Sequence, residues 1–256
     1  MTSPPFALTE KKEYGNVSAD KYVIWFSDFA REFRRILTHN GSLVVHVGGS
    51  WTPGRPTRTL YNFRLLLSLA EEFHLAQEFY WYNPAKLPGP AEWVNVRRIR
   101  AKDSVDPVWW FSKTAYPKAW NRRVLKPYSS SMLDLLASGY KPGVRPSGHN
   151  ITGKFGKRNT GAIPPNILTL SNTDSNSQYL RKCRRAGLKP HPARYPEGIP
   201  DFFIRFLTTK DDLVLDPFAG SNTTGAVAER LHRRWLSFEI VRSYLRGSKF
   251  RFDSTY

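Results

Sequence analysis

The chain has 256 residues, 40% of them hydrophobic, which is enough to bury one substantial core. Its 39 lysine and arginine residues against 21 acidic ones give a net charge of +18, so a polyanionic partner is expected. The single cysteine, Cys183, excludes a disulfide framework and a cysteine zinc site. No apolar run approaches the roughly 18 residues that span a bilayer, and no signal peptide is recognisable, so we expect a cytoplasmic protein.

Residues 1–6 read MTSPPF, in which a serine and two prolines precede an aromatic ring. Taken alone, this short string is more typical of a disordered tail than of a site. Its interpretation therefore depends on the patterns that follow it in the chain.

Alternating helical and extended patterns come next. Aromatic residues at helical spacing predict a helix over 18–37, whose ring stripe indicates a core face rather than an array for binding bases. A second helix is predicted over 60–73, and apolar runs predict strands over 42–47, 75–82 and 108–111. His46 lies at the end of the first strand, where a lone histidine is more often a hydrogen-bonded structural residue than a ligand-binding one.

The composition changes between residues 114 and 194, where fifteen basic and two acidic side chains supply +13 of the net charge of +18. A charged run is usually a solvated face, but this one is long, interrupted by Pro, Gly, Ser and Asn, and interleaved with aromatic residues. Phosphate contacts are predicted for Lys154, Lys157 and Arg158. Candidates for reading base edges are Arg122, Arg123, Arg145, His149 and Asn150.

The best-defined pattern, between residues 211 and 240, predicts a strand, a tight turn, a helix and a second strand. The first strand ends at Asp216, Thr223 and Thr224 can cap the helix, and Glu239 follows the second strand. Ligands of doubly wound sheets bind at the carboxyl ends of strands, and an acid at about this spacing can accept hydrogen bonds from two ribose hydroxyls. The pattern therefore predicts a polar ligand that contains a nucleoside.

A dinucleotide is a poor candidate for this ligand. Only Gly220 and Gly225 are present where a dinucleotide site would have three glycines, and Asp216 would repel an anionic pyrophosphate. A cationic sulfonium that carries an amino-acid head would not be repelled.

Three strings together resemble the beta class of amino-methylating DNA methyltransferases. Residues 216–225, DPFAGSNTTG, are similar to the S-adenosylmethionine motif DPFxGSGTT, and residues 191–196, HPARYP, to the motif HPA-x-[FY]-P, which closes over the methionine end of the cofactor. SPPF at 3–6 resembles the version found in N4-cytosine enzymes, whereas N6-adenine enzymes more often have Asp or Asn first. The catalytic half precedes the cofactor half, as in the beta class, and the resemblance covers nearly the whole chain.

The resemblance implies a Rossmann-like α/β sheet with helices on both faces and an irregular target-recognition insert. Residues 1–113 would form the catalytic half, 114–185 the target-recognition region and 186–256 the cofactor-binding half. S-adenosylmethionine would be the cofactor, duplex DNA the partner, and a cognate restriction endonuclease a genetic partner only. The implied cofactor-binding residues are His191, Pro192, Ala193, Phe202, Asp216, Pro217, Phe218, Gly220, Ser221, Asn222, Thr223 and Glu239.

The implied reaction is methylation of the N4 amine of cytosine, carried by Ser3, Pro4, Pro5 and Phe6. This amine is a poor nucleophile because its lone pair is delocalised into the ring. If the Ser3 hydroxyl and the Pro4 carbonyl accept hydrogen bonds from its two N–H groups, the lone pair is localised on nitrogen. Phe6 would stack on a flipped base. The reaction needs no metal and no covalent enzyme intermediate.

Two alternatives stay open: N6-adenine methylation, and an inactive DNA-binding remnant. The second arises because the family has a strand, a helix and another strand before the SPPF string, whereas here only Met1 and Thr2 precede it. We expect a missing strand between the strands at 213–216 and 42–47, which would leave unpaired edges and a poorly soluble, inactive chain. A smaller departure is Asn222 in place of a glycine, which a turn tolerates because asparagine enters the left-handed region readily.

Overall fold

The computed structural model describes residues 1–10, 12–139, 141–173 and 177–252, and the chain forms two compact units. The larger unit contains Met1–Ala119 and Asn166–Tyr256, and the smaller one is Trp120–Pro165. The smaller unit lies within the predicted target-recognition region, whose boundaries at 114 and 185 stay a prediction.

The helices and strands alternate along the chain. The helices are α1 (Tyr22–Ile36), α2 (Tyr61–Glu72), α3 (Ser130–Ser138), α4 (Gln178–Arg185), α5 (Gly198–Leu207), α6 (Thr223–Arg230) and α7 (Arg242–Ser248). The strands are β1 (Ser42–His46), β2 (His74–Tyr82), β3 (Val105–Ser112), β4 (Gly143–Val144), β5 (Asn150–Ile151), β6 (Ile167–Thr169), β7 (Leu213–Asp216) and β8 (Arg234–Ser237). A π-helical turn spans Glu92–Val96, and 3-10 turns span Asn121–Arg123, Gly153–Gly156 and Lys249–Arg251.

The larger unit contains a four-stranded sheet in the order β1-β3-β2-β6 and the parallel pair β7-β8. Strand β3 is antiparallel to both β1 and β2, and β6 is parallel to β2. Strands β1 and β2 therefore point the same way, and their carboxyl ends lie at one edge of the sheet. This edge is where an α/β sheet of this kind binds its ligands.

The first two residues lie between β1 and β7. Thr2 forms a parallel bridge with Val45: its N–H donates to the Val44 carbonyl at 2.8 Å, and its carbonyl accepts from the His46 N–H at 3.0 Å. On the other side, the amino group of Met1 donates to the carbonyl of Leu215 at 2.9 Å. Met1 and Thr2 thus lie between β1 and β7, at the position predicted for the missing strand.

Helices cover both faces of the sheet, as the Rossmann-like prediction required. On one face, α1 and α2 pack on β1 and β3 through a core that includes Tyr22, Phe26, Phe33, Leu65, Leu69, Trp109 and Phe111. On the other face, the rings of Phe203 and Phe206 in α5 lie 5.0 Å from Phe79 and 5.1 Å from Trp110, respectively. The WWF run alternates between the two faces, so its rings pack in the core rather than stack on bases.

The predicted cap of α6 is wrong. Asn222, not a threonine, caps this helix: its Oδ1 accepts from the Gly225 N–H at 3.1 Å, and its φ of 58° is left-handed. Thr223 and Thr224 are the first two residues inside the helix, beyond the cap position, and the Thr224 hydroxyl donates to Asp216 Oδ2 at 2.6 Å. The expectation that asparagine enters the left-handed region at this turn is confirmed.

The smaller unit contains α3, capped by the hydroxyl of Ser129, and a short hairpin of β4 and β5. A bridge between Lys126 and Ala162 joins the two ends of the unit. Across the described residues of the whole chain, no helix is both long enough and apolar enough to span a membrane.

Candidate active site

A cavity of about 830 Å³ opens at the carboxyl ends of β1, β2, β7 and β8 in the larger unit. Its walls come from residues 3–17, from the turn after β7 and from residues 191–195. These walls contain the three strings that were predicted to form the site. SPPF lies at residues 3–6, near the start of the chain, whereas the other two begin at residues 191 and 216. The sheet thus brings the distant strings to one cavity.

Ser3 lines this cavity at the end of β1 because Thr2, the residue before it, is fixed to that strand. The Oγ of Ser3 lies 2.9 Å from Nδ1 of His46, the last residue of that strand. The Phe6 ring meets the His46 ring edge to face at 5.4 Å. The carbonyl of Pro5 accepts a 2.7 Å hydrogen bond from the Tyr22 hydroxyl, so the SPPF string is attached to α1 as well as to β1.

His46 is buried and uncharged near neutral pH. Burial lowers its pKa to about 4; the nearby Asp106 carboxylate opposes this shift and the Lys86 ammonium reinforces it. The Nε2 atom is also buried and has no hydrogen-bond partner in the part of the chain that the structure describes. The hydrogen bond to Ser3 fits our expectation of a hydrogen-bonded residue, but the position in the cavity was not expected.

Asp216, at the end of β7, is 1% exposed and its carboxylate is surrounded by donors. Oδ1 accepts from the Thr2 hydroxyl at 2.9 Å and from the Phe218 N–H at 3.1 Å. Oδ2 accepts from the Thr224 hydroxyl at 2.6 Å and from the Tyr195 hydroxyl at 3.4 Å. The carboxylate therefore fixes the turn from beneath, and it does not line the cavity. Its predicted contact with the cofactor stays a prediction.

Glu239 lies after the carboxyl end of β8, as predicted, and its contact with the glycine of the turn was not predicted. One carboxylate oxygen accepts from the Gly220 N–H and the other from the Val241 N–H, both at 2.8 Å. Gly220 has a φ of +54°, and a Cβ there would meet the His191 ring at 3.1 Å. Two reasons therefore favour glycine at this position: its left-handed conformation and the close approach of the His191 ring.

His191 is a second neutral histidine in the cavity wall, and burial lowers its pKa to about 4. Its Nδ1 lies 2.6 Å from the Ala193 carbonyl, which can only accept, so the Nδ1–H donates and Nε2 keeps its lone pair. The Tyr14 ring stacks on it with centroids 5.2 Å apart. These contacts define both the orientation and the tautomer of His191.

Most of the predicted catalytic and cofactor residues line the cavity: Ser3, Pro4, Pro5, Phe6, His191, Pro192, Ala193, Pro217, Phe218, Gly220, Ser221, Thr223 and Glu239. Asp216, Asn222 and Phe202 do not. The half-buried Phe202 ring instead packs against Phe79, with centroids 5.5 Å apart. Asn222 is buried and its Oδ1 also accepts from the Ser237 hydroxyl, so it organises the turn.

Several residues of the cavity wall were not predicted from the sequence. His46 and Trp81 lie at the carboxyl ends of β1 and β2, and the strand-end rule that singled out Glu239 would have found both. Phe29 was assigned to the core stripe of α1, yet it lines the cavity and its ring lies 4.9 Å from Phe218. Tyr14 gave no signal, because the fold alone brings it to His191.

The predicted DNA-binding residues all belong to the smaller unit. Arg145 and His149 flank the turn of the β4–β5 hairpin, where the Arg145 N–H donates to the His149 carbonyl at 2.8 Å. Arg123 is half-buried, with its guanidinium 5.4 Å from the Trp120 ring centroid. The exposed ones are Arg122, Arg145, His149, Asn150, Lys157 and Arg158. The side chain of Lys154 lies outside the described residues, so its predicted phosphate contact has no structural account.

Several solved structures resemble this fold, including the following two. The PvuII DNA methyltransferase, described as cytosine-N4-specific, superposes with a TM-score of 0.79 at 48% identity, covering 100% of this chain and 79% of that one. The complex of M1.HpyAVI with S-adenosylmethionine superposes with a TM-score of 0.59 at 19% identity, covering 98% and 86% of the two chains. At that identity the second likeness concerns the fold alone.

Sequence comparisons agree with the structural ones. The Type II methyltransferase M.PvuII of Proteus hauseri is 54% identical over 257 residues, which cover 98% of this chain and 76% of the relative. M.HpaI of Haemophilus parainfluenzae is 34% identical over 96 residues, 38% of this chain and 28% of the relative. The family described as DNA methylase, which groups N6 and N4 enzymes, matches residues 1–250. The chain belongs to this DNA methylase family.

Proposed function

We propose that this protein transfers a methyl group from S-adenosylmethionine to the N4 amine of cytosine in duplex DNA. The observation that carries the proposal is that the SPPF string and the Gly220–Glu239 pair line one cavity. The donor and the acceptor of the methyl group can therefore bind side by side. The description of the PvuII enzyme as cytosine-N4-specific supports the choice of cytosine.

The cavity fits the proposed cofactor. Its volume of about 830 Å³ falls within the range of roughly 300–1,000 Å³ that small-molecule sites occupy. Each oxygen of the Glu239 carboxylate accepts one hydrogen bond from the backbone and keeps acceptor capacity for a ribose hydroxyl. The rings of Trp25, Phe29 and Phe218 supply an aromatic wall, which suits both a purine and a sulfonium cation.

Individual residues can be given roles toward this cofactor. Glu239 would hold the ribose, and His191, Pro192 and Ala193 would close over the methionine end, as the family resemblance implies. Bound S-adenosylmethionine supplies an electrophilic methyl group on its sulfonium. Asp216 contributes indirectly, because its four hydrogen bonds hold the turn on which Phe218 and Gly220 stand.

The chain's own contribution to the chemistry lies at the target amine. The Ser3 hydroxyl and the Pro4 carbonyl accept hydrogen bonds from the two amine N–H groups, which localises the nitrogen lone pair. Phe6 stacks on the flipped base. Because the SPPF string is fixed to both β1 and α1, the acceptors are positioned before the base arrives. Positioning of this kind can supply much of the rate.

The smaller unit, Trp120–Pro165, is proposed to bind the DNA duplex within a target-recognition region that spans 114–185. Its exposed Lys157 and Arg158 would contact phosphates, and Arg145, His149 and Asn150, clustered on one hairpin, would read base edges. By the same inference, the protein would protect DNA from a cognate restriction endonuclease, since its 54% identical relative is a Type II methyltransferase.

Nucleoside analysis tests the reaction. The protein is incubated with duplex DNA and S-adenosylmethionine labelled with tritium in its methyl group, and the DNA is then digested and its nucleosides separated. We expect the label in N4-methylcytosine. Label in N6-methyladenine would refute the choice of base, and an unlabelled digest together with calorimetry that detects no cofactor binding would favour the DNA-binding remnant.

A further inference from the structure

The Ser3 hydroxyl can assist the proposed reaction only in one of its orientations. A hydroxyl both donates and accepts, and an amine hydrogen needs the oxygen lone pair, not the hydroxyl proton. The proton of Ser3 must therefore point away from the cavity toward another acceptor. Nδ1 of His46, 2.9 Å from the oxygen, is at hydrogen-bonding distance.

His46 can act as that acceptor only if it is uncharged. The ring is 4% exposed, and burial is the main reason that its pKa falls to about 4. The charged groups that face it are Asp106 and Lys86, whose own ion pair, 3.0 Å long, leaves little net charge beside the ring. The third neighbour, Tyr195, is also uncharged, since burial raises its pKa well above the ordinary value. A neutral imidazole carries a single N–H, on Nδ1 or on Nε2.

The surroundings of Nε2 favour the proton there. The rings of Phe6, Trp81 and Tyr195 pack around His46 with centroids 5.4, 5.4 and 6.1 Å away. The polar hydrogens of these rings are used elsewhere: the Trp81 Nε1–H donates to the Leu170 carbonyl, and the Tyr195 hydroxyl pairs with Thr224 and Asp216. A bare Nε2 lone pair would thus find no donor, whereas an Nε2–H can point at aromatic faces, which are weak acceptors.

We propose that His46 is a positioning residue for methyl transfer: as the Nε2–H tautomer it accepts a hydrogen bond from the Ser3 hydroxyl at Nδ1, and the lone pairs of the Ser3 oxygen then face the target amine. This inference rests on the proposed function of the cavity. With the proton on Nδ1, or with a charged ring, His46 would donate to Ser3 instead. The Ser3 proton would then face the amine hydrogens and repel them.

Substitutions at His46 separate this role from a purely structural one. His46→Leu removes the acceptor, and we expect kcat to fall on the order of 100-fold with unchanged affinity for S-adenosylmethionine. His46→Asn keeps an acceptor oxygen near the position of Nδ1 and should recover most of that loss. Ser42→Ala is the matched control, because it removes another hydrogen bond of β1, from Trp110 Nε1, outside the cavity; its kcat should stay within about twofold of the unmodified protein.

A double-mutant cycle and nuclear magnetic resonance complete the test. If His46 acts through Ser3, then Ser3→Ala combined with His46→Leu should be no slower than Ser3→Ala alone. In the unmodified protein with ¹⁵N-labelled histidine, the signal that His46→Asn removes should show the Nε2–H tautomer and stay neutral down to about pH 5. Additive effects in the cycle, or an Nδ1–H tautomer, would overturn the proposal. The resonance experiment needs neither cofactor nor DNA, so its result is independent of whether methyl transfer is observed.

Discussion

The two units of this protein place their polar and charged side chains in different surroundings. In the larger unit, hydrogen bonds fix the two carboxylates near the cavity: the buried Asp216 accepts four and the half-buried Glu239 accepts two from the backbone. In the smaller unit, no described hydrophobic side chain is buried, and Arg122, Lys157 and Arg158 are exposed. A reaction needs fixed geometry, whereas attraction to a polyanion needs charge in contact with solvent. Substitutions in the larger unit should therefore change stability, cofactor affinity or turnover, whereas substitutions in the smaller unit should change the affinity for DNA.

The largest effect is expected from Asp216→Ala. It would leave the donors of Thr2, Phe218 and Thr224 buried without an acceptor, so we expect a loss of about 4 kcal/mol in the free energy of unfolding. Cofactor affinity should fall with it, because the turn loses its support. Urea unfolding and calorimetry measure the two effects. Asp134→Ala, an exposed acid of the smaller unit, is the control and should change stability by less than about 0.5 kcal/mol. A folded Asp216→Ala protein with normal cofactor affinity would contradict this account of the turn.

Stability should depend on pH through His46. Its pKa is about 4 when folded and about 6.5 when unfolded, so the unfolded chain binds the extra proton between these values. The stabilisation is complete above pH 6.5 and is lost as the pH falls to 4, by about 3 kcal/mol. His191 acts in the same direction. In urea titrations, His46→Asn should keep only the smaller pH dependence that is due to His191; an unchanged dependence would show that His46 is not the buried titrating group.

Ser3→Ala should lower kcat on the order of 100-fold, because one acceptor for the target amine is lost. The affinity for S-adenosylmethionine should stay normal, since Ser3 acts on the amine and not on the sulfonium. Glu239→Ala provides the reciprocal control, in which cofactor affinity falls first. Full turnover by Ser3→Ala in the tritium assay would remove Ser3 from the mechanism.

The smallest effect per residue is expected in the smaller unit. Replacing Lys157 and Arg158 with glutamine should flatten the dependence of log affinity for DNA on log salt by up to roughly two units. Lys210→Gln, an exposed lysine of the larger unit, is the matched control. Cofactor affinity should be unchanged in both variants. If the lysine control flattens the slope and the double variant does not, the DNA-binding surface lies in the larger unit.

Local patterns predicted much of this fold. The apolar run that ends at Asp216 forms a strand with the predicted bounds, and Glu239 follows the second strand of this segment as predicted. Both depend on short stretches of chain whose geometry follows from hydrophobic pattern and turn chemistry. The cap of α6 was predicted wrongly because three neighbouring residues carry a side-chain oxygen that can cap a helix, and the pattern does not show which of them precedes its first residue.

Contacts between distant parts of the chain could not be predicted in this way. The pair Ser3–His46 exists because Thr2 bonds to β1, and nothing near His46 in the sequence indicates this. Similarly, the family resemblance assigned Phe202 to the cofactor, whereas its ring packs against Phe79 of β2. Residues whose neighbours are supplied by another strand or helix need the assembled structure.

The hydrogen bonds of Asp216 also bear on how the two reactants stay aligned. Its Oδ1 accepts from Thr2, which precedes Ser3, and from Phe218, which lines the cavity. The segments proposed to hold the methyl acceptor and the methyl donor therefore meet at one oxygen atom. With these roles, we expect a displacement of that carboxylate to move both segments together, so that the distance between the amine and the methyl group would change less than either position does.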